Sequence, residues 1–91
     1  MHKLTAYVHG RVQGVAFRYY TQKQARSLGL NGWVRNEPDG SVLVVAEGSK
    51  EHLSSLIDFL HQGPDSARVE KVEISWSESS RRYKKFEIRA I

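Results

Sequence analysis

The chain has 91 residues, a net charge of +4 and no cysteine. Its length suits one domain with a single two-layer core, and the lack of cysteine excludes disulfides, a thiolate nucleophile and a cysteine-ligated zinc site. The longest apolar run, residues 42–46, is far too short to span a bilayer, and residues 1–6 do not resemble a signal peptide. We therefore expect one domain over residues 1–91 that is cytoplasmic and stays outside membranes.

The spacing of apolar residues predicts seven elements of secondary structure. Alternation of apolar and polar residues indicates strands, and apolar residues three or four apart indicate helices. Ser49 is typical of a helix N-cap, and Gly29 and Gly63 are typical of helix ends. In chain order we expect a strand at 4–8, a helix at 17–28, strands at 32–36 and 41–47, a helix after Ser49, and strands at 72–76 and 86–90.

This order, β-α-β-β-α-β followed by a short C-terminal strand, predicts an α+β fold of the ferredoxin-like type. The expected architecture is an antiparallel sheet with two helices on one face, and residues 41–47 form its central strand. In this fold the end of the first strand, the start of the first helix and the end of the second strand approach one another. We therefore expect the loop before residue 18 to lie near Asn36.

The segment between the first strand and the first helix has the composition of an anion-binding loop. Gly10 and Gly14 allow backbone N–H groups to converge on one point, and the following helix adds its free N–H groups and the positive end of its dipole. Arg18 falls in the first helical turn, where a bound anion would balance its charge. A tight turn beside a solvated arginine is the alternative interpretation. The segment matches neither the P-loop nor the dinucleotide-binding pattern.

Two segments together closely resemble the acylphosphatase family. They are Val8-His9-Gly10-Arg11-Val12-Gln13-Gly14-Val15-Ala16-Phe17-Arg18 and Gly32-Trp33-Val34-Arg35-Asn36-Glu37-Pro38-Asp39-Gly40-Ser41-Val42, and the similarity extends from residue 4 to residue 88.

The resemblance implies a ferredoxin-like hydrolase that cleaves acyl phosphates to carboxylate and inorganic phosphate, without a cofactor or a metal. It implies that Arg18 and Asn36 are the catalytic pair. The substrate would be a small molecule, and we expect the protein to be a monomer. The chain departs from the family where Glu37 replaces a frequent hydroxyl residue. The implied phosphate-binding residues are Gln13, Gly14, Val15, Ala16, Phe17 and Arg18.

The chemistry of these side chains agrees with that implication. Arginine offers a planar fork of donors that matches two phosphate oxygens. The carboxamide of Asn36 can orient a water molecule but cannot accept its proton. We therefore expect an oxygen of the substrate phosphate to take that proton.

Several other polar and aromatic residues lie in or near the two segments. Of the four histidines, His9 is closest to the loop, and none has metal-ligand spacing. We expect a solvated Glu37. Arg35, like Arg11, would either steer anions inward or be an ordinary exposed charge. Trp33 would belong to the core or to a pocket wall.

Two functions without catalysis remain as alternatives. RNA-recognition motifs share this fold, and the chain is basic, with a cluster at residues 81–85. They need exposed aromatic residues on the central strands, and residues 41–47 contain none, which argues against a nucleic-acid partner. An anion-sensing module of the same fold would bind its ligand at the loop without hydrolysis.

Overall fold

Five strands and two helices form two layers in the computed structural model, which describes residues 1–90. Residue 91, the last residue of the predicted domain, lies outside the described residues. The elements are β1 (His2–Arg11), α1 (Phe17–Ser27), β2 (Asn31–Asn36), β3 (Val42–Gly48), α2 (Lys50–Gln62), β4 (Arg68–Glu78) and β5 (Phe86–Arg89).

The strand order across the sheet is β4-β1-β3-β2-β5. The first four strands pair antiparallel with their neighbours, in the order of the ferredoxin-like fold, so the predicted fold class is confirmed. The sequence assigned no direction to the extra C-terminal strand, and in the structure this strand, β5, pairs parallel to β2. This direction arises because the chain leaves β4 and enters β5 at the same end of the sheet, where β2 also begins.

The local sequence explains the central elements. Every residue of β3 is buried, as expected for a central strand with both faces covered. Ser49 caps α2, since its side chain accepts a hydrogen bond from the backbone N–H of His52 at 3.2 Å. The inward face of α1 is formed by Phe17, Thr21 and Ala25.

The main core lies between the sheet and the two helices. In this core, every second residue of the central strands packs against apolar side chains of α2, and the side chains on both sides are fully buried. They include Leu4, Ala6, Val8, Val42, Val44, Leu53, Leu56 and Leu60.

A second, smaller cluster lies on the other face of the sheet. Trp33, Leu43 and Val45 are buried there, and Tyr83 packs against them. Tyr83 belongs to residues 79–85, which we call the crossover segment because they connect the two edges of the sheet. The crossover segment therefore covers part of the face that the helices leave free.

Glu47 fastens the crossover segment to the central strand. Its Oε2 accepts hydrogen bonds from the backbone N–H of Ser80 at 2.9 Å and from the Ser80 hydroxyl at 3.2 Å. Burial alone would raise the pKa of Glu47, but hydrogen bonds from the backbone of Ser80, the hydroxyl of Ser79, the backbone of Tyr83 and the Ser80 hydroxyl lower it below its usual value. The buried carboxylate is therefore held in its charged form.

Candidate active site

Residues 12–16 connect β1 to α1 through two left-handed backbone conformations. Gly14 has φ 75°, and Ala16 has φ 60° and ψ 23°. Ala16 occupies the N-cap position of α1 but supplies no side-chain cap, and the first turn contains no acidic residue. The N–H groups at the start of this helix are thus left to an external acceptor, which is the arrangement of a helix N-terminus that binds an anion.

A cavity of about 170 Å³ opens at this end of α1. The loop, the first helical turn, β2 and β5 all contribute to its wall. Arg18 and Asn36 both line it, so the expected approach of the loop to the end of β2 is confirmed. The lining residues are Val12, Gly14, Ala16, Phe17, Arg18, Tyr19, Asn36 and Ile88.

Gln13 ties the loop to the turn that follows Asn36. Its Nε2 donates to the backbone oxygens of Glu37 at 2.8 Å and Ser41 at 2.9 Å. Both side-chain N–H groups are therefore used within the protein, and any contact of Gln13 with phosphate would be made by its backbone. Neither Gln13 nor Val15 lines the cavity, but the Val15 carbonyl accepts a hydrogen bond from Ser66 at 3.2 Å, which braces the loop from the other side.

The guanidinium of Arg18 is held by the last strand. Nη1 donates to the backbone oxygen of Arg89 at 3.3 Å. This contact uses one of the five N–H donors of the group and leaves a planar edge for a ligand.

The carboxamide oxygen of Asn36, Oδ1, is buried and lacks a hydrogen-bond partner in the part of the chain that the structure describes, residues 1–90. A buried acceptor without a partner costs about 1–3 kcal/mol, so such groups are typically completed by a ligand or by water. Asn36 lies at the end of the β2–β3 hairpin, where it pairs with Val42.

The turn after Asn36 is built by its own side chains. The backbone N–H and the hydroxyl of Ser41 both donate to Asp39, at 2.9 Å and 2.6 Å, and these hydrogen bonds lower the pKa of Asp39. Gly40 completes the turn with φ 92°. Asp39 thus stabilises the turn through its side chain, as aspartate often does in turns.

Glu37 is not the solvated side chain that we expected. Its two carboxylate oxygens accept hydrogen bonds from Arg35, at 2.7 Å from Nε and 3.4 Å from Nη2, and the side chain is only 16% exposed. The hydrogen bond and the charge of Glu37 raise the pKa of Arg35. Part of the positive charge of Arg35 is therefore neutralised beside the site.

Three other predicted neighbours lie away from the cavity. Trp33 is buried on the opposite face of the sheet, with the guanidinium groups of Arg35 and Arg89 at 4.9 Å and 4.8 Å from its ring, so it is a core residue and not a wall. His9 is paired with Glu73 of β4 at 2.6 Å. Gly10 lies within β1, where any Cβ would clash with the backbone oxygen of Arg68.

Two residues of the cavity were not singled out by the sequence. Tyr19 follows Arg18 in α1, and Ile88 belongs to β5. The helical spacing of residues 17–28 leaves Tyr19 outside the buried face of α1, and this pattern could have indicated that Tyr19 is exposed beside Arg18. No local pattern places Ile88 beside the loop, because β5 reaches β2 only through the crossover segment.

Within residues 1–90, no group of three or more His, Cys, Asp and Glu residues is arranged to hold a metal ion. No helix in the same range is long and apolar enough to cross a bilayer.

The chain matches known proteins over almost its whole length. The family model described as Acylphosphatase matches residues 4–88. An acylphosphatase of Salinibacter ruber is 48% identical over 87 residues, which cover 96% of this chain and 92% of that protein. An acylphosphatase of Thermus thermophilus is 54% identical over 80 residues, covering 88% and 91% of the two chains. The crystal structure of the acylphosphatase from Bacillus subtilis superposes with a TM-score of 0.94 at 36% identity and covers 98% of this chain and 99% of that one.

The fold, the cavity and these relatives define an α+β hydrolase that acts on the phosphate anhydride of a small acyl phosphate. The chain belongs to the acylphosphatase family. Both expectations drawn from the sequence resemblance, the family and the class of enzyme, are confirmed.

Proposed function

We propose that Arg18 and the backbone of residues 13–18 bind the phosphoryl group of an acyl phosphate, and that Asn36 orients the water that attacks it. The observation that carries this proposal is the common cavity. This cavity brings together the guanidinium of Arg18, the N-terminus of α1 without a side-chain cap, and the buried Oδ1 of Asn36, which has no partner among the described residues.

The phosphoryl group is the part of the substrate that this cavity suits. Its charge spreads over three oxygens in the transition state, and catalysis depends mainly on positioning and electrostatic stabilisation. Arg18 can hold two oxygens through its fork, and the N–H groups at the start of α1 can hold the third. Gly14 and Ala16 supply the backbone angles that turn these groups inward.

Water completes the reaction. Held by the carboxamide of Asn36, it forms a new P–O bond as the bond between phosphorus and the carboxylate oxygen breaks. The carboxylate leaves with the bonding electron pair. Among the described residues, the side chains that line the cavity include no histidine and no carboxylate, so we assign the accepted proton to a phosphate oxygen of the substrate. Inorganic phosphate and the free acid anion are the products.

We propose that hydrolysis needs no metal, because an acyl phosphate already carries a good leaving group and Arg18 supplies the charge on the protein side. We also propose a cytoplasmic monomer. Sedimentation at micromolar concentration and cell fractionation test these two properties separately.

The decisive experiment measures hydrolysis of acetyl phosphate in the presence of a chelator. The wild type should turn over, and Arg18→Ala should lower kcat/KM by at least about 100-fold, as for loss of a donor that stabilises transition-state charge. Arg11→Ala is the matched control, because Arg11 is an exposed arginine at the end of β1 that does not line the cavity. Full activity of Arg18→Ala, or an absolute need for added metal, would contradict the proposal.

A further inference from the structure

We infer that the acyl group of the substrate lies against Tyr19 and Ile88, and that this subsite favours neutral acyl groups with apolar or aromatic character. The inference rests on the proposed function, because an acyl subsite requires that the cavity bind an acyl phosphate. It concerns a part of the substrate that neither sequence segment addresses.

Tyr19 and Ile88 form an exposed apolar rim on the cavity. Tyr19 is 54% exposed and Ile88 is 39% exposed, yet both line the same cavity as Arg18. Large apolar side chains that are exposed together beside a polar site typically contact a ligand. The phosphoryl group occupies the end near the loop, so the group attached to it would extend toward this rim.

The rim is held in place before any substrate arrives. The ring of Tyr19 meets the ring of Tyr20 edge to face, with centroids 5.1 Å apart and an interplanar angle of 75°. Ile88 is fixed in β5, where it pairs with Val34 of β2. Rigid aromatic and branched side chains lose little conformational entropy on binding, so they are suited to hold a flat or compact acyl group.

The charges around the cavity favour a neutral acyl group. Arg18 is the charged side chain among the lining residues, and the phosphoryl group takes its free donors. The side chain of Arg89 is occupied on the other face of the sheet, where its guanidinium lies 4.8 Å from the Trp33 ring and 5.9 Å from the Tyr83 ring. Among the described lining residues, a second anion on the acyl group would find no further cationic partner.

The test compares benzoyl phosphate with acetyl phosphate in the wild type, Tyr19→Ala and Ile88→Ala. Each substitution should lower the ratio of kcat/KM for the two substrates, benzoyl over acetyl, by about tenfold, the size of a lost aromatic contact together with its buried area. Tyr19→Phe should keep the ratio. Tyr7→Ala is the matched control, because Tyr7 is 38% exposed on β1 and does not line the cavity.

A second pair of substrates tests the preference for a neutral group. 4-Carboxybenzoyl phosphate should have a lower kcat/KM than 4-methylbenzoyl phosphate in the wild type, and Tyr19→Ala should bring the two values closer together. Inhibition by inorganic phosphate should stay the same in Tyr19→Ala. Equal kcat/KM values for the two wild-type substrates, or weaker phosphate inhibition in the variant, would overturn the inference.

Binding separates this inference from the proposed function. In the methylene phosphonate analogues, CH₂ replaces the bridging oxygen and no hydrolysis occurs. The wild type should bind the benzoyl analogue more tightly than the acetyl analogue, and Tyr19→Ala should lose the difference. Without hydrolysis of any acyl phosphate but with this discrimination, the proposed reaction fails and the subsite stands. With hydrolysis but without discrimination, the subsite fails alone.

Discussion

At the scale of single residues, the site gathers features that are unfavourable in the absence of an anion. Arg18 lies in the first turn of α1, where its charge opposes the positive end of the helix dipole. Ala16 has a left-handed conformation, which costs a residue with a Cβ about 1 kcal/mol. A dianionic phosphoryl group would relieve the electrostatic part of this cost, so the same features that weaken the free protein strengthen substrate binding.

Substitution of Asn36 should separate the binding of phosphate from the hydrolysis step. Asn36→Ala should lower kcat by about 100-fold, while inhibition by inorganic phosphate changes by no more than about threefold, because in the proposed mechanism the carboxamide contacts the water and not the anion. Steady-state kinetics with phosphate as a competitive inhibitor measure both quantities.

The same two quantities, kcat and phosphate inhibition, are compared in a second variant. Arg18→Ala should weaken phosphate inhibition as well as turnover, since the proposal has Arg18 bind the anion both in the phosphate complex and in the transition state. If Asn36→Ala weakened phosphate inhibition as strongly as it lowered kcat, Asn36 would be a ligand of the phosphate and the assigned role would be wrong.

At the scale of elements, the loop and the β2–β3 turn behave as one unit. Gln13 joins them through two hydrogen bonds to backbone oxygens, and Ser66 holds the opposite side of the loop through Val15. The relative position of Arg18 and Asn36 therefore depends on a side chain that does not itself line the cavity.

Gln13→Ala should affect both stability and catalysis. Loss of its two hydrogen bonds should lower the free energy of unfolding by about 1–2 kcal/mol, and the looser spacing of loop and turn should lower kcat by about tenfold. Gln24→Ala is the control, because Gln24 is a similarly half-buried glutamine of α1 outside the cavity. Urea denaturation and the kcat of the two variants provide the comparison. Unchanged kcat in Gln13→Ala would show that the loop keeps its position without this brace.

The elements also show which features can be predicted from sequence. The helix at 17–28, the buried central strand and the approach of the loop to Asn36 follow from local periodicity and from the known order of this fold. Pairings between distant segments do not follow. The parallel direction of β5, the place of Ile88 in the cavity and the ion pair of Glu37 all depend on contacts that no short window of sequence contains.

Gly10 illustrates the same limit at one position. The sequence suggested that it shapes the anion-binding loop, but the structure gives it a different reason. β1 has an irregularity between His9 and Gly10, and the backbone of β4 passes so close that no side chain fits. A glycine required by an approaching strand and a glycine required by a ligand look the same in a sequence.

At the scale of the whole molecule, the crossover segment joins both edges of the sheet and covers its second face. Tyr83 packs over Trp33, Leu43 and Val45, in the region where an RNA-recognition motif exposes its aromatic residues. This covering argues against base stacking on the part of the face that Tyr83 occupies. Glu47 holds the crossover segment through the hydrogen bond that it accepts from the backbone N–H of Ser80.

The lowered pKa of Glu47 predicts a pH dependence of folding. Because the pKa of Glu47 is lower in the folded protein than in the unfolded chain, its contribution to stability is complete above the ordinary carboxylate pKa and is lost as the pH falls toward the folded value. The wild type should therefore lose stability more steeply than Glu47→Gln as the pH falls below the ordinary carboxylate pKa. Urea denaturation at several pH values measures this slope.

Asp39→Asn controls for the other carboxylate with a lowered pKa. Asp39 lies in the β2–β3 turn, so its contribution to the pH dependence of stability should not depend on the crossover segment. Parallel pH profiles for the wild type and Glu47→Gln would mean that the carboxylate charge does not hold the crossover segment in place.

The central claim is that the phosphoryl group binds between the loop and Asn36. Titration of ¹⁵N-labelled protein with inorganic phosphate, followed by amide resonances, tests it most directly. Saturable shifts should appear at the backbone N–H groups of residues 14–18 and at the side-chain amide of Asn36, and Arg18→Ala should abolish them. Shifts confined to the basic residues 82–85, with the loop and Asn36 unchanged, would contradict it.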